Sequence, residues 1–220
     1  MRCLMCHKPI RHDSFDTLFQ KQDVLCADCR ESWKRIEQRY RFEGHDAFVL
    51  YAYEGGFSEC LLQYKELCDE ALKPAFLMPD RTLLRRMYRG RTLLLLPSSE
   101  ENRTFRGFSH LKGIFEILDL PMLEPFEKTD PASQKHLHKN ERAAMASGIR
   151  LKEGAALPKR IVLADDVITT GSTMKGALAA LPKGMDIRIF ACGLTERKPQ
   201  NQTGKSGFRS RMKELQDFLK

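Results

Sequence analysis

The sequence has little that would place it in a membrane or send it out of the cell. No run approaches the roughly 18 consecutive apolar residues that a spanning helix needs, and runs such as residues 93–96 have only the length of a strand. The chain begins Met1, Arg2, Cys3, with no apolar stretch ahead of a small-residue cleavage site. We therefore expect a cytoplasmic protein without a membrane span.

Acidic residues are too few to balance the basic ones. The chain has 37 Lys and Arg against 29 Asp and Glu, and the resulting net charge of +8 favours a polyanionic partner. The excess is concentrated in the tail, residues 197–220, and in an acid-free stretch that holds Arg81, Arg85, Arg86, Arg89 and Arg91. These five arginines are candidates for contacts with nucleic-acid phosphates, although a solvated surface charge explains each of them about equally well.

Apolar strand-like segments alternate with amphipathic helical segments along most of the chain. The pattern predicts strands at residues 48–53, 92–96, 122–126, 160–164 and 187–194, and helices at 58–67, 82–88, 107–118, 138–147 and 174–181. Ser58 is the predicted cap of the first of these helices. Strands that are apolar throughout are typical of a parallel sheet covered on both faces, so we predict an α/β domain over residues 46–220.

Four of the seven cysteines lie near the N-terminus in two Cys-x-x-Cys pairs, which comprise Cys3, Cys6, Cys26 and Cys29. Nineteen residues separate the pairs, a spacing typical of one tetrahedral zinc ion held by four thiolates. Because a closed set of four ligands leaves no position for water, the predicted role is structural. Two disulfides are the alternative, which a reducing cytoplasm disfavours. His7 and His12 are second choices as ligands.

The residues around this cluster complete the predicted N-terminal module. Trp33, Ile36 and Tyr40 have near-helical spacing, so residues 28–40 are predicted to form a helix that leaves the cluster. Residues 1–45 are then a small zinc module with its following helix. The remaining cysteines have no informative spacing and are predicted to be buried as small hydrophobic residues: Cys60, Cys68 and Cys192.

The most informative segment is residues 160–173, where a predicted strand runs into two aspartates and a glycine-containing turn. Open α/β sheets place ligands at the carboxyl ends of their strands, and the helix that follows offers free N–H groups to a phosphate. The turn contains Thr169, Thr170, Gly171, Ser172 and Thr173. Asp165 and Asp166 repel a phosphate but accept hydrogen bonds from the vicinal hydroxyls of a sugar. The segment therefore predicts a ribose 5-phosphate ligand, with a Thr-capped helix that binds nothing as the alternative.

This segment resembles the phosphoribosyl pyrophosphate signature of type I phosphoribosyltransferases, in which an apolar run, two acids and a Thr-Thr-Gly-x-Thr loop follow in that order. By that resemblance, the two aspartates hold the ribose hydroxyls and residues 169–173 hold the 5-phosphate. The four N-terminal cysteines ahead of such a domain make the chain similar to the ComF family. Further matching positions are Tyr64, Lys65, Pro97, Arg106, Gly107, Phe108, Gln134, Leu137 and Arg142.

Three positions depart from the pattern of that family. Ser109 and His110 stand where Asn and Gln are common, and Met145 stands about where Asn is usual. The departures concern the side of the site that would receive pyrophosphate. The candidates for that side are Ser98, Ser99, Arg103 and Arg106.

The resemblance implies a competence protein that handles single-stranded DNA during natural transformation, beside an ATP-dependent, helicase-like partner. It also implies phosphoribosyl pyrophosphate and Mg²⁺ in the ligand site, and recruitment to the inner face of the membrane would come through partners. Two alternatives stay open: an active phosphoribosyltransferase, for which no residue identifies an acceptor base, and a scaffold with a regulatory or vestigial pocket. The predicted fold is a parallel-sheet, type I phosphoribosyltransferase-like α/β domain behind a four-cysteine zinc module.

Overall fold

The computed structural model describes residues 1–10, 23–97, 107–128 and 148–195. Its strands are β1 Arg35–Phe42, β2 His45–Ala52, β3 Thr92–Leu95, β4 Met122–Leu123, β5 Phe126–Lys128, β6 Ile149–Leu151, β7 Arg160–Ile168 and β8 Asp186–Leu194. Its α-helices are α1 Ala27–Glu31, α2 Gly55–Glu66, α3 Lys73–Leu77, α4 Arg81–Met87, α5 His110–Phe115 and α6 Ser172–Ala180. Within these ranges no helix combines the length and the apolar character needed to cross a membrane.

One sheet organises the molecule. Its strand order is β1-β2-β8-β7-β3-β4, and every neighbouring pair is parallel except β1 and β2. The central strands are apolar on both faces because helices cover them; for example, the ring of Phe190 in β8 contacts those of Tyr88 and Phe115. The predicted mixed α/β fold with a mostly parallel sheet is confirmed, and β5 and β6 form a separate antiparallel pair.

The strand order creates a switch point between β3 and β7. The chain leaves β3 for β4 on one side, whereas it leaves β7 for β8 on the other. Connections that diverge in this way open a crevice at the carboxyl ends of the two strands, and ligands of open α/β sheets bind in such crevices. The crevice is bordered by the segment after β7, which the sequence singled out.

The predicted helix over residues 28–40 is wrong beyond residue 31. Only α1 is helical, and residues 35–42 form β1, which pairs along its length with β2. The half-buried residues Tyr40 and Phe42 alternate with exposed ones, as in a regular strand, and the register shifts near Ile36, between Arg35 and Gln38. The proposed division of the chain between residues 45 and 46 stays a prediction. It falls after the first residue of β2, the strand to which β1 is hydrogen-bonded.

The N-terminal segment is held against the sheet by paired charges and by one large ring. Arg35 donates hydrogen bonds of 2.9 and 2.6 Å to the fully buried carboxylate of Asp80. Arg30 of α1 donates to the carbonyl oxygen of Ala75 at 2.8 Å. The Trp33 ring packs edge-on against neighbouring aromatic residues. These contacts anchor the segment that follows the second cysteine pair.

Several element boundaries differ from those predicted. Helix α2 begins at Gly55 with Glu54 at its N-cap position, and the Ser58 hydroxyl donates to the carbonyl of Gly55, so the predicted Ser58 cap is wrong. The strand predicted at 122–126 is two short strands, β4 and β5, in different sheets. Strand β7 extends to Ile168, and the two aspartates therefore lie within it. The predicted helix at 138–147 and the tail lie outside the described residues.

Candidate ligand site and metal centre

The two cysteine pairs meet at one point near the N-terminus. The backbone N–H of Leu4 donates to the carbonyl of Val24 at 3.0 Å, which joins the loop of the first pair to the segment before the second. All four sulfur atoms lie within 4.8 Å of one another. The Sγ atoms of Cys6 and Cys26 are 3.6 Å apart, close to the roughly 3.8 Å edge of a tetrahedron with metal–sulfur distances of about 2.3 Å. The arrangement can hold one metal ion.

Cys3 favours the thiolate form that metal ligation needs, whereas burial and the neighbouring sulfur atoms raise the pKa values of Cys26 and Cys29. Burial by itself would raise the pKa of the Cys3 thiol, but N–H groups of Cys6, Cys26 and Met5 favour the thiolate and lower that pKa to about 6. All four cysteines are unpaired, so the alternative of disulfides has no support in the structure. His7 is not among the grouped ligands, and His12 lies outside the described residues.

The other three cysteines have different surroundings. Cys60 and Cys192 are fully buried, as predicted for small hydrophobic residues, and burial raises the pKa of both thiols. Cys68 is exposed, so the prediction of burial was wrong for that residue. Its position just after the end of α2 explains the difference, because a residue past a helix end need not continue the buried face.

Asp166 is the centre of a buried polar cluster at the carboxyl end of β7. Lys65 of α2 donates a 2.8 Å hydrogen bond to its Oδ2 atom, and the Nε2 atom of His110 lies 2.8 Å from the same oxygen. Burial would raise the pKa of Asp166, but the Lys65 charge and the His110 ring outweigh it and hold that pKa below its ordinary value. The Tyr64 hydroxyl donates to the carbonyl of His110 at 2.9 Å, which fixes the start of α5.

Asp165 has a different environment from its neighbour. Successive residues of a strand point to opposite faces, so Asp165 faces away from the cluster around Asp166. Its Oδ1 atom accepts a 2.9 Å hydrogen bond from the backbone N–H of Asp166. Burial and the charge of Asp166 raise the pKa of Asp165 well above its usual range. The two carboxylates that the sequence treated as one unit are therefore electrostatically distinct.

The loop after β7 presents hydroxyl groups at the start of α6. Thr169, Thr170 and Ser172 are exposed, and Thr173 is half-buried. The Thr170 and Ser172 hydroxyls lie 3.1 Å apart, and the Ser172 N–H donates to the Thr170 hydroxyl at 3.3 Å. The first N–H groups of a helix lack partners within it and carry a partial positive charge. Hydroxyl and N–H donors thus converge where the sequence predicts a phosphate.

Gly171 is required at the bend of this loop. Its φ is +76°, in the left-handed region that favours glycine, and a Cβ there would lie 2.7 Å from the ring of Phe42. Next to this contact, Lys175 of α6 forms a 2.8 Å ion pair with Glu43 in the turn between β1 and β2. The tip of the β1–β2 hairpin therefore packs directly on the predicted phosphate loop.

We expect Gly171→Ala to lower the melting temperature more than Gly154→Ala does. Both glycines have a positive φ, so each substitution pays roughly 1–2 kcal/mol for the left-handed backbone, but a Cβ at Gly154 meets nothing within 4 Å. The additional loss of melting temperature in Gly171→Ala comes from the clash with Phe42. Phe42→Ala in the Gly171→Ala background should relieve that clash. Equal shifts for the two glycine variants, measured by calorimetry, would show that Phe42 does not restrict the loop.

Four of the five candidate arginines share one surface, and the fifth does not. Arg91 is 4% exposed, pairs with Asp186 at 2.7 Å and donates to backbone carbonyls, so its assignment to a nucleic-acid surface is corrected: it supports the fold. The others are exposed and line one groove of about 850 Å³: Arg81, Arg85, Arg86 and Arg89. We call this the arginine groove.

Some known proteins are similar in sequence to this chain. No family model matches the sequence. Competence protein ComFC of Streptococcus pneumoniae (strain ATCC BAA-255 / R6) is 24% identical over 220 residues, which cover 87% of this chain and 99% of that protein. Competence protein ComFC of Bacillus subtilis (strain 168) is 26% identical over 182 residues, which cover 81% of this chain and 70% of that protein. The two matches, each over most of the chain, support a ComFC-like family assignment.

A solved structure is also similar to this ComFC-like chain. Adenine phosphoribosyltransferase from Leishmania donovani has 13% sequence identity and a TM-score of 0.34, with 80% of this chain and 99% of that chain covered.

Some residues that contact the candidate ligand site of this ComFC-like chain could not be found by local pattern. Phe42 touches the predicted phosphate loop from a strand far away in sequence, and no motif marks it. Lys65 and His110 were noted only as a matching and a departing position, and the structure brings both to Asp166. The pyrophosphate-side candidates lie outside the described residues: Ser98, Ser99, Arg103 and Arg106.

Proposed function

We propose that this ComFC-like protein binds a ribose 5-phosphate ligand, such as phosphoribosyl pyrophosphate with Mg²⁺, and acts in competence as the names of its relatives state. The observation that carries the ligand proposal is the pair Asp165 and Asp166 followed by a hydroxyl-rich loop at the switch point of the sheet. Calorimetric titration of metal-loaded protein with phosphoribosyl pyrophosphate and Mg²⁺ tests it. Saturable heat supports the proposal, and the lack of any binding contradicts it.

In the proposed complex, each part of the site has a separate task. The N–H groups at the start of α6 and the Thr169, Thr170, Ser172 and Thr173 hydroxyls bind the 5-phosphate. The carboxylates of Asp165 and Asp166 accept hydrogen bonds from the ribose hydroxyls. Mg²⁺, when bound, would offset the negative charge of the pyrophosphate oxygens. Ser98 and Ser99 follow β3, the strand on the other side of the crevice, so we keep them, with Arg103 and Arg106, as the pyrophosphate candidates.

We propose zinc as the ion of the four-cysteine cluster. Four sulfur ligands in a closed tetrahedral set suit zinc and leave no position for a substrate, so the site would stabilise the N-terminal segment rather than take part in chemistry. Metal analysis of the purified protein tests this, with one zinc per chain expected.

We propose that single-stranded DNA binds this protein chiefly by charge, beside a helicase-like partner. The net charge of +8 supports the proposal. Each DNA phosphate neutralised by Lys or Arg releases counterions, so the affinity should fall steeply with salt. Fluorescence anisotropy with labelled oligothymidylate is expected to give a log–log salt slope of about −0.7 per phosphate contact. Affinity that does not change between low and physiological salt would contradict an electrostatic mode of binding.

An active phosphoribosyltransferase is the second candidate function. The observation that favours it is the opposed pKa shifts of Asp165 and Asp166, because neighbouring acids with separated pKa values are common at catalytic sites. Pyrophosphate release in the presence of one of a panel of nucleobases would support turnover. Ligand binding without release for any nucleobase would leave the pocket as a regulatory site.

A further inference from the structure

We propose that the arginine groove docks an acidic, aliphatic segment of another protein. The groove lies between α4 and the turn before β4. Its half-buried aliphatic lining residues, which we call its floor, are Met78, Leu83 and Leu120. The four exposed arginines described above form its rim. This site is separate from the proposed ribose-phosphate site, and neither proposal depends on the other.

The groove lies at the edge of the sheet opposite to the one that carries the loop after β7. Helix α4 leads into the amino end of β3 through Gly90, and Leu120 comes just before the amino end of β4. Because β3, β4 and β7 are parallel, their amino ends share one edge and their carboxyl ends the other. The loop after Ile168 is at the carboxyl edge. A segment in the groove would therefore not compete with a ribose-phosphate ligand.

The rim has an excess of positive charge that its own surroundings do not balance. Of the four arginines, only Arg85 forms an ion pair with another described residue, the carboxylate of Asp119 at 2.7 Å. Like charges three or four residues apart on a helix repel one another by a few tenths of a kcal/mol. For Arg85 and Arg86, the negative end of the helix dipole at the C-terminus of α4 offsets part of this repulsion. Arg81 lies at the start of the helix and has no such compensation. Carboxylates of a partner would remove the repulsion.

The lining favours a peptide over a nucleic acid. Proteins that bind single-stranded DNA usually stack its bases on aromatic rings, and no aromatic side chain is among the described residues that line the groove. The nearby Tyr88 is 1% exposed and cannot stack on a base. A segment that carries both aliphatic and acidic side chains suits the Met78, Leu83 and Leu120 floor and the guanidinium rim. Arg–carboxylate pairing also supplies geometric specificity when both carboxylate oxygens are engaged.

The test compares two labelled probes on the full chain: a peptide of alternating Glu and Leu, and an oligothymidylate. The variant Arg86→Glu, Arg89→Glu removes the rim charge, and Lys152→Glu, Lys183→Glu makes the same change in net charge at exposed positions elsewhere. We expect peptide affinity to fall by about tenfold or more in the arginine variant and to change little in the lysine control. Leu120→Gln should weaken the peptide and leave the oligothymidylate unchanged.

Three results would overturn the proposal. Loss of oligothymidylate binding in the arginine variant with unchanged peptide binding would make the groove a nucleic-acid surface. Equal affinities of the arginine variant and the lysine control for both probes would make the rim an ordinary solvated helix face. No measurable binding of the peptide to the wild-type protein at millimolar concentration would show that the groove does not accept acidic, aliphatic segments.

Discussion

The Asp165→Asn, Asp166→Asn variant is expected to lose binding of phosphoribosyl pyrophosphate and Mg²⁺ by about 100-fold or more. Each carboxylate would accept hydrogen bonds from the ribose, and hydrogen bonds to a charged group contribute about 1.5–3 kcal/mol. An amide keeps the shape of the side chain and removes the charge that also favours Mg²⁺. Isothermal titration calorimetry of wild type and variant measures the effect directly.

The matched control for this experiment is Asp186→Asn. Asp186 is also an aspartate of the central sheet, but it begins β8 at the amino edge and pairs with Arg91. Its replacement should lower stability, because Arg91 is buried, and should leave ligand affinity unchanged. Equal losses of affinity in both variants would mean that the ligand site is not at Asp165 and Asp166.

The two single variants separate binding from stability, because their melting temperatures should shift in opposite directions near neutral pH. The folded-state pKa of Asp166 is lowered, so its ionisation stabilises the fold above the unfolded pKa of 3.8, and this contribution is lost as the pH falls. The folded-state pKa of Asp165 is raised, so its ionisation opposes folding as the pH rises. Asp166→Asn should therefore destabilise the protein, and Asp165→Asn should stabilise it. Thermal unfolding between pH 3 and pH 8 checks both directions.

The second large effect is expected for the four-cysteine cluster. Cys26→Ser, Cys29→Ser should abolish metal content and loosen residues 1–10 and 23–34, because a structural zinc site contributes on the order of 10 kcal/mol of apparent binding energy to the folded segment. Amide hydrogen exchange would report this as lost protection confined to that part of the chain. Ligand binding at the loop after β7 should survive, since none of the four cysteines lies in that crevice.

The control for the cluster is Cys68→Ser, which changes an exposed thiol outside it. Metal content and amide protection should equal those of the wild type. If the double variant without metal keeps full protection over residues 1–10 and 23–34, the ion is not structural and the proposed role of the cluster is wrong.

The parts of the molecule that the sequence predicts well depend on local pattern. The four cysteines have a spacing that suits one metal, and residues 160–173 carry strand, acids, turn and helix start in one continuous run. The pattern failed at residues 35–42, because Trp33, Ile36 and Tyr40 have helical spacing, whereas β1 begins only at Arg35 and its register shifts between Arg35 and Gln38. Hydrogen bonds to β2 make residues 35–42 a strand.

Contacts between distant segments could not be predicted from the sequence. Lys65 and His110 reach Asp166 only after α2 and α5 pack near the end of β7, and Arg91 becomes buried only because β8 delivers Asp186. The same holds for Phe42 on Gly171. Charge and spacing describe what a side chain offers, whereas burial depends on what the rest of the chain brings to it.

The alternation of Asp165 and Asp166 along β7 also limits how this protein can change over generations. Substitutions in the strand exchange one side chain and leave its neighbours where they are. An inserted or deleted residue between Ile161 and Ala164 would instead turn every later side chain to the opposite face. An insertion would bring Asp165 to the position of Asp166 beside Lys65, and a deletion would bring Val167 there. Descendants of this chain should therefore vary freely in loop length while the length of β7 ahead of the two acids stays constant.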